Sequence, residues 1–347
     1  MISLKKLKIE NLLTFLPSDN IEIINDSSSD KIKRLSRSIG IESKYVCQPS
    51  QTFTDLATEA IEVFFKKTGL EQSDFDALIC VTQSPDFIIP GSGTLLQSRA
   101  GFDNTLAAYD INLGCSGFPY GIYTCYSHLL TGMKRVMLVI GDQSYARGSQ
   151  DEGHGVLFGD SVSIASVILR DEEVNQQILF GTDGSGYKSL YIPHGGKRTP
   201  YNENSLKHEL DDTGVKRCGT DVVLDGPAIF NFSLRVAPAQ IKKLLNDIEK
   251  DIEDIDYFVL HQANKIINDT LRKKLKLTES VCPSSLAKYG NTSSGSIPVT
   301  LNTNSECLWN EAGKHSIFCG FGIGLSWATM NYISDGSEKS FLEFSKK

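Results

Sequence analysis

The chain has 347 residues, 40% of them hydrophobic and 22% charged, with a formal net charge of −7 and a pI near 5.5. That composition fits a globular protein of one large layered domain or two ordinary ones, and its acidity argues against general nucleic-acid binding. No run approaches the ~20 apolar residues of a membrane span, and no apolar stretch follows Ile2-Ser3-Leu4-Lys5-Lys6 to make a signal peptide.

Residues 1–10 alternate as a strand. Asp26 to Lys33 is polar and serine-rich, which predicts a loop leading into a basic helix near Lys31 to Ser38. Thr52 or Thr54 caps a helix from Asp55 to Thr68, which Gly69 ends. Asp76 to Thr82 is a buried strand, and Pro90-Gly91-Ser92-Gly93 opens a short helix to Ala100. A strand at 106–111, a helix from Tyr120 to Leu130 and strands at Arg135–Gly141 and Val162–Leu169 follow. This alternation predicts a mixed α/β sheet covered by helices. From about Asp171 to Asp225 the chain is irregular and glycine-rich, reading as hairpins and a surface excursion that carries Tyr187 to Ile192. Helices then run from Pro227 to about Asp251, followed by a strand at Tyr257–Leu260 and a helix at Asn264–Leu277. From about Ser334 the chain is polar and predicts a frayed tail over 335–347.

The 8 cysteines, at 47, 80, 115, 125, 218, 282, 307 and 319, form no CxxC pair. This argues against a zinc or redox motif and for free thiols in a reducing cytoplasm; no metal is expected. One cysteine stands apart. Asn112-Leu113-Gly114-Cys115-Ser116-Gly117-Phe118 links an apolar strand to a helix, so Cys115 falls at a helix N-terminus. Free N–H groups and the helix dipole there favour a thiolate, and the flanking glycines allow close approach to the backbone. Pro119 is harmless in a first helical turn. Such a turn presents a nucleophile, although a small buried cysteine would fit the same stretch.

A weak internal repeat is visible. Ala77–Thr82 resembles Asp256–His261, each a strand followed by a helix, and Val136–Ile140 resembles Ser316–Cys319. The glycine-flanked turn at Cys115 has a counterpart in Gly290-Asn291-Thr292-Ser293-Ser294-Gly295-Ser296. Phe158-Gly159-Asp160 has one in Gly320-Phe321-Gly322-Ile323-Gly324. Two similar halves, 1–171 and 172–334, would bring their special turns together at a pseudo-twofold axis.

With Cys-Ser-Gly-Phe at 115–118, His-Gln-Ala-Asn at 261–264, Gly-Asn-Thr-Ser at 290–293, Phe-Gly-Asp at 158–160 and Gly-Phe-Gly-Ile-Gly at 320–324, the chain resembles the β-ketoacyl-acyl-carrier-protein synthase III family. The resemblance covers about Ile39 to Tyr332. It implies a thiolase-like α/β fold of two halves, with mixed five-stranded sheets layered between helices as αβαβα. It also implies that Cys115 takes an acyl group from a thioester. His261 and Asn291 then polarise a malonyl thioester, whose decarboxylation yields the attacking enolate; two N–H donors are what an enolate oxygen needs. By the same resemblance, the backbone N–H groups of Cys115 and Ile323 form the oxyanion hole. Ile89, Phe230, Asn264 and Phe321 contact substrate, and Lys273 and Lys274 dock an acidic acyl carrier protein. Asp160 is structural. No cofactor is implied beyond the acyl-coenzyme A or acyl-carrier-protein thioester and malonyl carrier protein, which are substrates. A cytoplasmic homodimer joined through the central sheet, with no membrane or nucleic-acid partner, is expected.

Several positions depart from the family pattern. Relatives that use coenzyme A often carry a Trp before an Arg-Thr-Gly-Ile stretch, whereas Lys31 to Ile41 here has none and reads Arg37-Ser38-Ile39-Gly40-Ile41. Where relatives carry an Arg, this chain has Asp151-Glu152-Gly153-His154-Gly155. Both changes leave room for a carrier-protein donor. Ile89 stands where a Phe usually gates the acyl pocket, and could admit more than an acetyl group. Two other readings use the same scaffold: acyl transfer from Cys115 to an oxygen or nitrogen of a sugar or secondary metabolite, and a non-catalytic partner subunit. The presence of Cys115, His261 and Asn291 together counts against the last.

Overall fold

The structure is a computed structural model that describes residues 2–26, 28–144, 151–211, 214–304 and 311–346. Cys307 and the side chain of Glu152 lie outside the described residues. In chain order the first half contains β1 (Ile2–Ser3), β2 (Leu7–Leu16), β3 (Asp19–Glu22), α1 (Asp30–Ile39), β4 (Ser43–Val46), α2 (Phe53–Thr68), β5 (Ala77–Val81), α3 (Ser92–Arg99), β6 (Ala107–Ile111), α4 (Gly117–Leu130), β7 (Val136–Asp142), α5 (Glu152–Leu157) and β8 (Ser161–Leu169). The second half contains β9 (Gln177–Thr182), four two-residue strands β10 (Leu190–Tyr191), β11 (Glu209–Leu210), β12 (Lys216–Arg217) and β13 (Val223–Leu224), then α6 (Gly226–Asp247), β14 (Tyr257–Leu260), α7 (Lys265–Lys274), α8 (Leu286–Tyr289), α9 (Ser296–Thr303), β15 (His315–Gly322), β16 (Ser326–Ile333) and β17 (Lys339–Phe344).

Helix ends follow local chemistry. The Ser29 hydroxyl accepts from the Ile32 N–H at the start of α1, and Gly40 ends it at φ 74°. Thr52 and Asp55 form a capping box on α2, and Gly69 ends it at φ 77°. The start of α3 is capped from a distance: the Asp110 carboxylate in β6 accepts the Ser92 and Gly93 N–H groups, each at 2.6 Å.

Two sheets carry the repeat. One runs β17-β2-β8-β7-β5-β6 and the other β1-β9-β16-β15-β14. In the first, β5 and β7 are parallel and β7 and β8 antiparallel; in the second, β14 and β15 are parallel and β15 and β16 antiparallel. Helices α4 and α9 lie between the sheets, where Phe118, Ile122, Ile297 and Leu301 join Val81, Leu138, Val259 and Phe318 in one core. Helices α2 and α3 cover the outer face of the first sheet, and α6, with α7 packed on it, covers that of the second. The layering is αβαβα.

The tail corrects the sequence expectation. Instead of fraying, β17 pairs in parallel with β2 from Lys339 opposite Asn11 to Phe344 opposite Leu16, making the first sheet six-stranded. Asn302 donates to the Phe341 carbonyl at 2.9 Å, Lys67 ion-pairs with Glu343, and the Phe344 ring lies 5.4 Å from that of Tyr45. A short strand with charged ends carries little hydrophobic signal, and its stability comes from an open sheet edge that only the fold supplies. Conversely, β1 pairs with β9 of the other sheet. Each half therefore holds an end strand of the other, and the 171/172 boundary is crossed at both chain termini.

Candidate active site

Cys115 sits between the end of β6 and the start of α4, packed directly on β15. A Cβ placed on Gly322 would lie 2.5 Å from the Cys115 Cβ and 2.8 Å from its Sγ, and one on Gly320 would lie 2.9 Å from the Cys115 carbonyl oxygen. Alternate residues of a strand face one side, so Gly320 and Gly322 together make the flat seat on which the cysteine rests. The same strand sets Phe321 edge-on against the His261 ring, centroids 5.6 Å apart at 89°. His261 follows β14, its N–H bonded to the Cys319 carbonyl at 2.9 Å.

Ser293 draws the three predicted residues together. Its hydroxyl lies near the Cys115 thiol and its backbone near the His261 imidazole, and its N–H donates to Asn291 Oδ1 at 2.9 Å. Ser293 holds φ at 50°, a left-handed conformation that costs about 1–3 kcal/mol in a non-glycine residue and is met most often at functional sites. Asn291 is 5% exposed and is fixed further: its Nδ2 donates to the Ala263 carbonyl at 3.2 Å, and its backbone bridges to Phe158. With Oδ1 held by Ser293, the second N–H of the amide is left over for a ligand.

Asp142, at the end of β7, ties the special turns of the two halves. Its Oδ1 accepts from the Gln83 N–H at 2.6 Å and the Thr82 hydroxyl at 3.1 Å. Its Oδ2 accepts from the Ser294 hydroxyl at 2.7 Å. Burial raises its pKa despite these donors. The sequence signal for it was a lone carboxylate closing an apolar strand, and its role depends on a turn 150 residues away.

The thiol is not the thiolate that a helix N-terminus would favour. Helix α4 starts at Gly117, two residues beyond the cysteine. Burial pushes the Cys115 thiol up to about 11, the nearby Asp142 charge adds to this, and the backbone at Ile323 and Cys115 opposes it only in part. Burial likewise depresses His261 to about 3, against the backbone of Ser293, which favours the cation. The resting pair is therefore neutral thiol and neutral imidazole across the whole working range of pH. Alkylation of Cys115 by iodoacetamide is expected to rise about tenfold per pH unit from pH 6 to 9 with no plateau. A plateau below pH 7 would show a thiolate–imidazolium pair instead.

Above the cysteine opens a cavity of about 380 Å³, a size suited to a small ligand. Its lining includes Cys115, Gln83, Asn112, Asp142, Ser293 and Ile323, and one wall comes from the excursion through Tyr187, Leu190, Tyr191, Ile192 and Val222. The Ile323 backbone lies by the Cys115 sulfur and favours its ionised form. The other predicted contacts lie elsewhere. Ile89 is 84% exposed, in an apolar loop with Phe87 and Ile88. Phe230 packs within the α6 core. Asn264 caps α7, its Oδ1 accepting the Ile267 N–H at 2.9 Å. Phe321 is buried behind His261. Asp160 is structural as expected, accepting the Cys47 N–H at 2.9 Å and the Ser144 N–H at 2.7 Å. Lys273 and Lys274 lie in the last turn of α7, with Lys274 Nζ donating to the Leu234 carbonyl at 2.8 Å. Among the described residues no helix is long and apolar enough to cross a membrane.

Two family models match: 3-oxoacyl-[acyl-carrier-protein] synthase III over residues 109–184, and the C-terminal part of the same family over 245–332. A β-ketoacyl-[acyl-carrier-protein] synthase III of Caldanaerobacter subterraneus is 35% identical over 84% of this chain and 86% of its own. One from Campylobacter concisus is 30% identical over 95% of each chain. Among solved structures, a 3-oxoacyl-(acyl-carrier-protein) synthase III superposes with a TM-score of 0.87 at 31% identity, over 94% of this chain and 99% of that one. A 3-oxoacyl-(acyl-carrier-protein) synthase from Burkholderia xenovorans superposes with a TM-score of 0.88 at 26% identity, over 97% of each. With a buried cysteine seated on two glycines of β15, and with His261 and Asn291 brought to it by the Ser293 turn, the chain belongs to the β-ketoacyl-[acyl-carrier-protein] synthase III family of thiolase-like acyltransferases.

Proposed function

We propose that the chain transfers an acyl group from a thioester to Cys115 and condenses it with a malonyl group carried by acyl carrier protein. The observation that supports this is the grouping of Cys115, His261 and Asn291 about the Ser293 turn, beside a cavity that Cys115 and Ser293 line. In the first half-reaction the Cys115 sulfur adds to the donor carbonyl while its proton passes to the neutral His261. The oxyanion meets the N–H groups of Cys115 and Ile323, and the donor thiol leaves with the proton. In the second, the malonyl thioester oxygen accepts N–H bonds from His261 and Asn291. The bond to the carboxylate breaks, carbon dioxide departs, and the enolate carbon attacks the acyl carbonyl. Collapse of that adduct returns the electron pair to sulfur, which is protonated again. A neutral imidazole suits both halves, since it can take a proton in one and offer an N–H in the other.

Lys273 and Lys274 would meet the acidic carrier protein, and the donor is taken as a carrier-protein thioester. Asp151, within the stretch where coenzyme A-using relatives carry an Arg, is itself paired to Arg217 at 2.6 Å. Intact-protein mass measurement after mixing with acyl-coenzyme A and acyl-carrier-protein donors tests the scheme. Wild type should gain the acyl mass and Cys115→Ala should not, and malonyl carrier protein should then release carbon dioxide. No gain with any donor would overturn it. In the same assay, Lys273→Glu with Lys274→Glu should slow carrier-dependent acylation about tenfold at low salt; an unchanged rate would remove the docking role.

We infer a homodimer joined at β6. This strand closes one edge of the first sheet with no neighbour on its far side among the described residues, and its residues are mostly half-buried, with Tyr109 at 38% exposure. Such an edge is a template for pairing with a second copy. The exposed apolar loop Phe87–Ile89 would be covered by the same contact. A monomeric mass by light scattering at micromolar concentration would overturn this.

A further inference from the structure

The excursion between β9 and α6 supplies one wall of the cavity, yet its regular structure is slight. Its two strand pairs, β10 with β13 and β11 with β12, match two residues each. Arg217 of β12 ties it to Asp151 beside α5 at 2.6 Å. At the base of the β11–β12 hairpin, ligand atoms of His208, Cys218 and Asp221 all lie within 4.8 Å of one another. His208 Nε2 is 3.8 Å from Asp221 Oδ2, and it is buried with no hydrogen-bond partner among the described residues. The Asp221 carboxylate is fixed by the Cys218 N–H at 2.9 Å, and the Cys218 sulfur lies 3.1 Å from the Thr220 hydroxyl. In a tetrahedral zinc site with Zn–N near 2.0–2.1 Å and Zn–S near 2.3 Å, neighbouring donor atoms are about 3.6 Å apart. The His208–Asp221 separation already meets that spacing, and the sulfur needs a shift of at most about 1 Å.

A second observation points to the same place. His154 is 4% exposed, its Nε2 is also buried without a partner, and its ring lies within electrostatic reach of Asp221. Its Nδ1 faces the Asp151 carboxylate at 3.9 Å. A buried imidazole nitrogen with no partner is costly, and His154 and His208 each carry one.

We propose that His208, Cys218 and Asp221 bind a zinc-type divalent cation that clips the base of the β11–β12 hairpin and braces the cavity wall. Val222, the residue after Asp221, lines the cavity, so the clip reaches the wall directly. The absence of a CxxC pair hid the site in the sequence: the ligands are spread over His208, Cys218 and Asp221, and one thiolate among imidazole and carboxylate suffices for zinc. The site stands apart from the condensation chemistry and does not depend on it.

The test is metal titration of metal-free protein with Zn²⁺ and Co²⁺, on wild type and on Cys115→Ala, which removes the other candidate thiol. One Zn²⁺ per chain is expected on both. The Co²⁺ form should show visible d–d bands and a thiolate-to-cobalt charge-transfer band. Cys218→Ser should lose that band, and Cys218→Ser and His208→Gln should each bind Zn²⁺ at least about tenfold more weakly. Wild type that binds no Zn²⁺ at micromolar free metal would overturn the proposal, as would equal binding by Cys218→Ser. If Cys218→Ser fails to fold, the Co²⁺ spectrum of Cys115→Ala decides: no thiolate band means that His208 and Asp221 are an ion pair only.

Discussion

Asn291→Ala is expected to leave Cys115 able to take an acyl group while slowing condensation about 10²–10³-fold, the usual effect of removing one donor from a developing oxyanion. The acyl-enzyme should therefore accumulate, which intact mass measurement would show alongside a lost release of carbon dioxide. The substitution also strips partners from the buried Ser293 N–H and Ala263 carbonyl, at a cost of about 1–3 kcal/mol each. Asn291→Asp separates the two effects. It keeps the acceptor for Ser293 and loses the amide donor, so it should condense as slowly as the alanine variant while unfolding at a higher temperature. An unchanged condensation rate in either variant would take Asn291 out of the donor set.

The second large effect is expected from Gly322→Ala. The added methyl would sit 2.5 Å from the Cys115 Cβ and 2.8 Å from its sulfur. Gly322 belongs to β15 and Cys115 to the tight turn that leads into α4, so neither can yield cheaply; overpacking of this kind costs about 1–3 kcal/mol. The kinetic effect should exceed the stability effect, because displacing a nucleophile by about 1 Å can cost 10²-fold in rate. Acylation of Cys115 by any donor should fall by about that factor, with the rest of the cavity intact. Gly132→Ala serves as a contrast. Its Cβ would meet nothing within 4 Å, and any loss there should come from its φ of 109° and appear as stability alone. Normal acylation by Gly322→Ala would mean that the cysteine reacts from a position other than the one on β15.

The proposed site residues Cys115, His261 and Asn291 and the layered fold were legible in the sequence because each rests on local chemistry. Cys115 lies in a glycine-flanked turn between two apolar segments, and Asn291 in a second such turn. The strand pattern repeats between Ala77–Thr82 and Asp256–His261, which is why the two sheets share their pairing order. Helix ends at Gly40 and Gly69 and the cap at Thr52 likewise follow from single residues. What stayed hidden depends on partners distant along the chain. Strand β17 is stable because β2 offers it an edge. Asp142 matters because Ser294 comes to it. Ile89 carries an apolar side chain whose place is set by what covers it.

The ionisation of the site shows the division most clearly. A helix N-terminus lowers a thiol's pKa, and the sequence alone therefore favoured a thiolate at Cys115. Only the packing of two sheets around α4 and α9 decided how much water the sulfur keeps, and its loss raises the pKa by more than the neighbouring N–H groups lower it. Residue identity and local turns were thus fixed by the chain order itself. Protonation state, cavity walls and the gathering of His208, Cys218 and Asp221 were decided by tertiary structure, because burial and through-space charge are set by neighbours that lie apart in the chain.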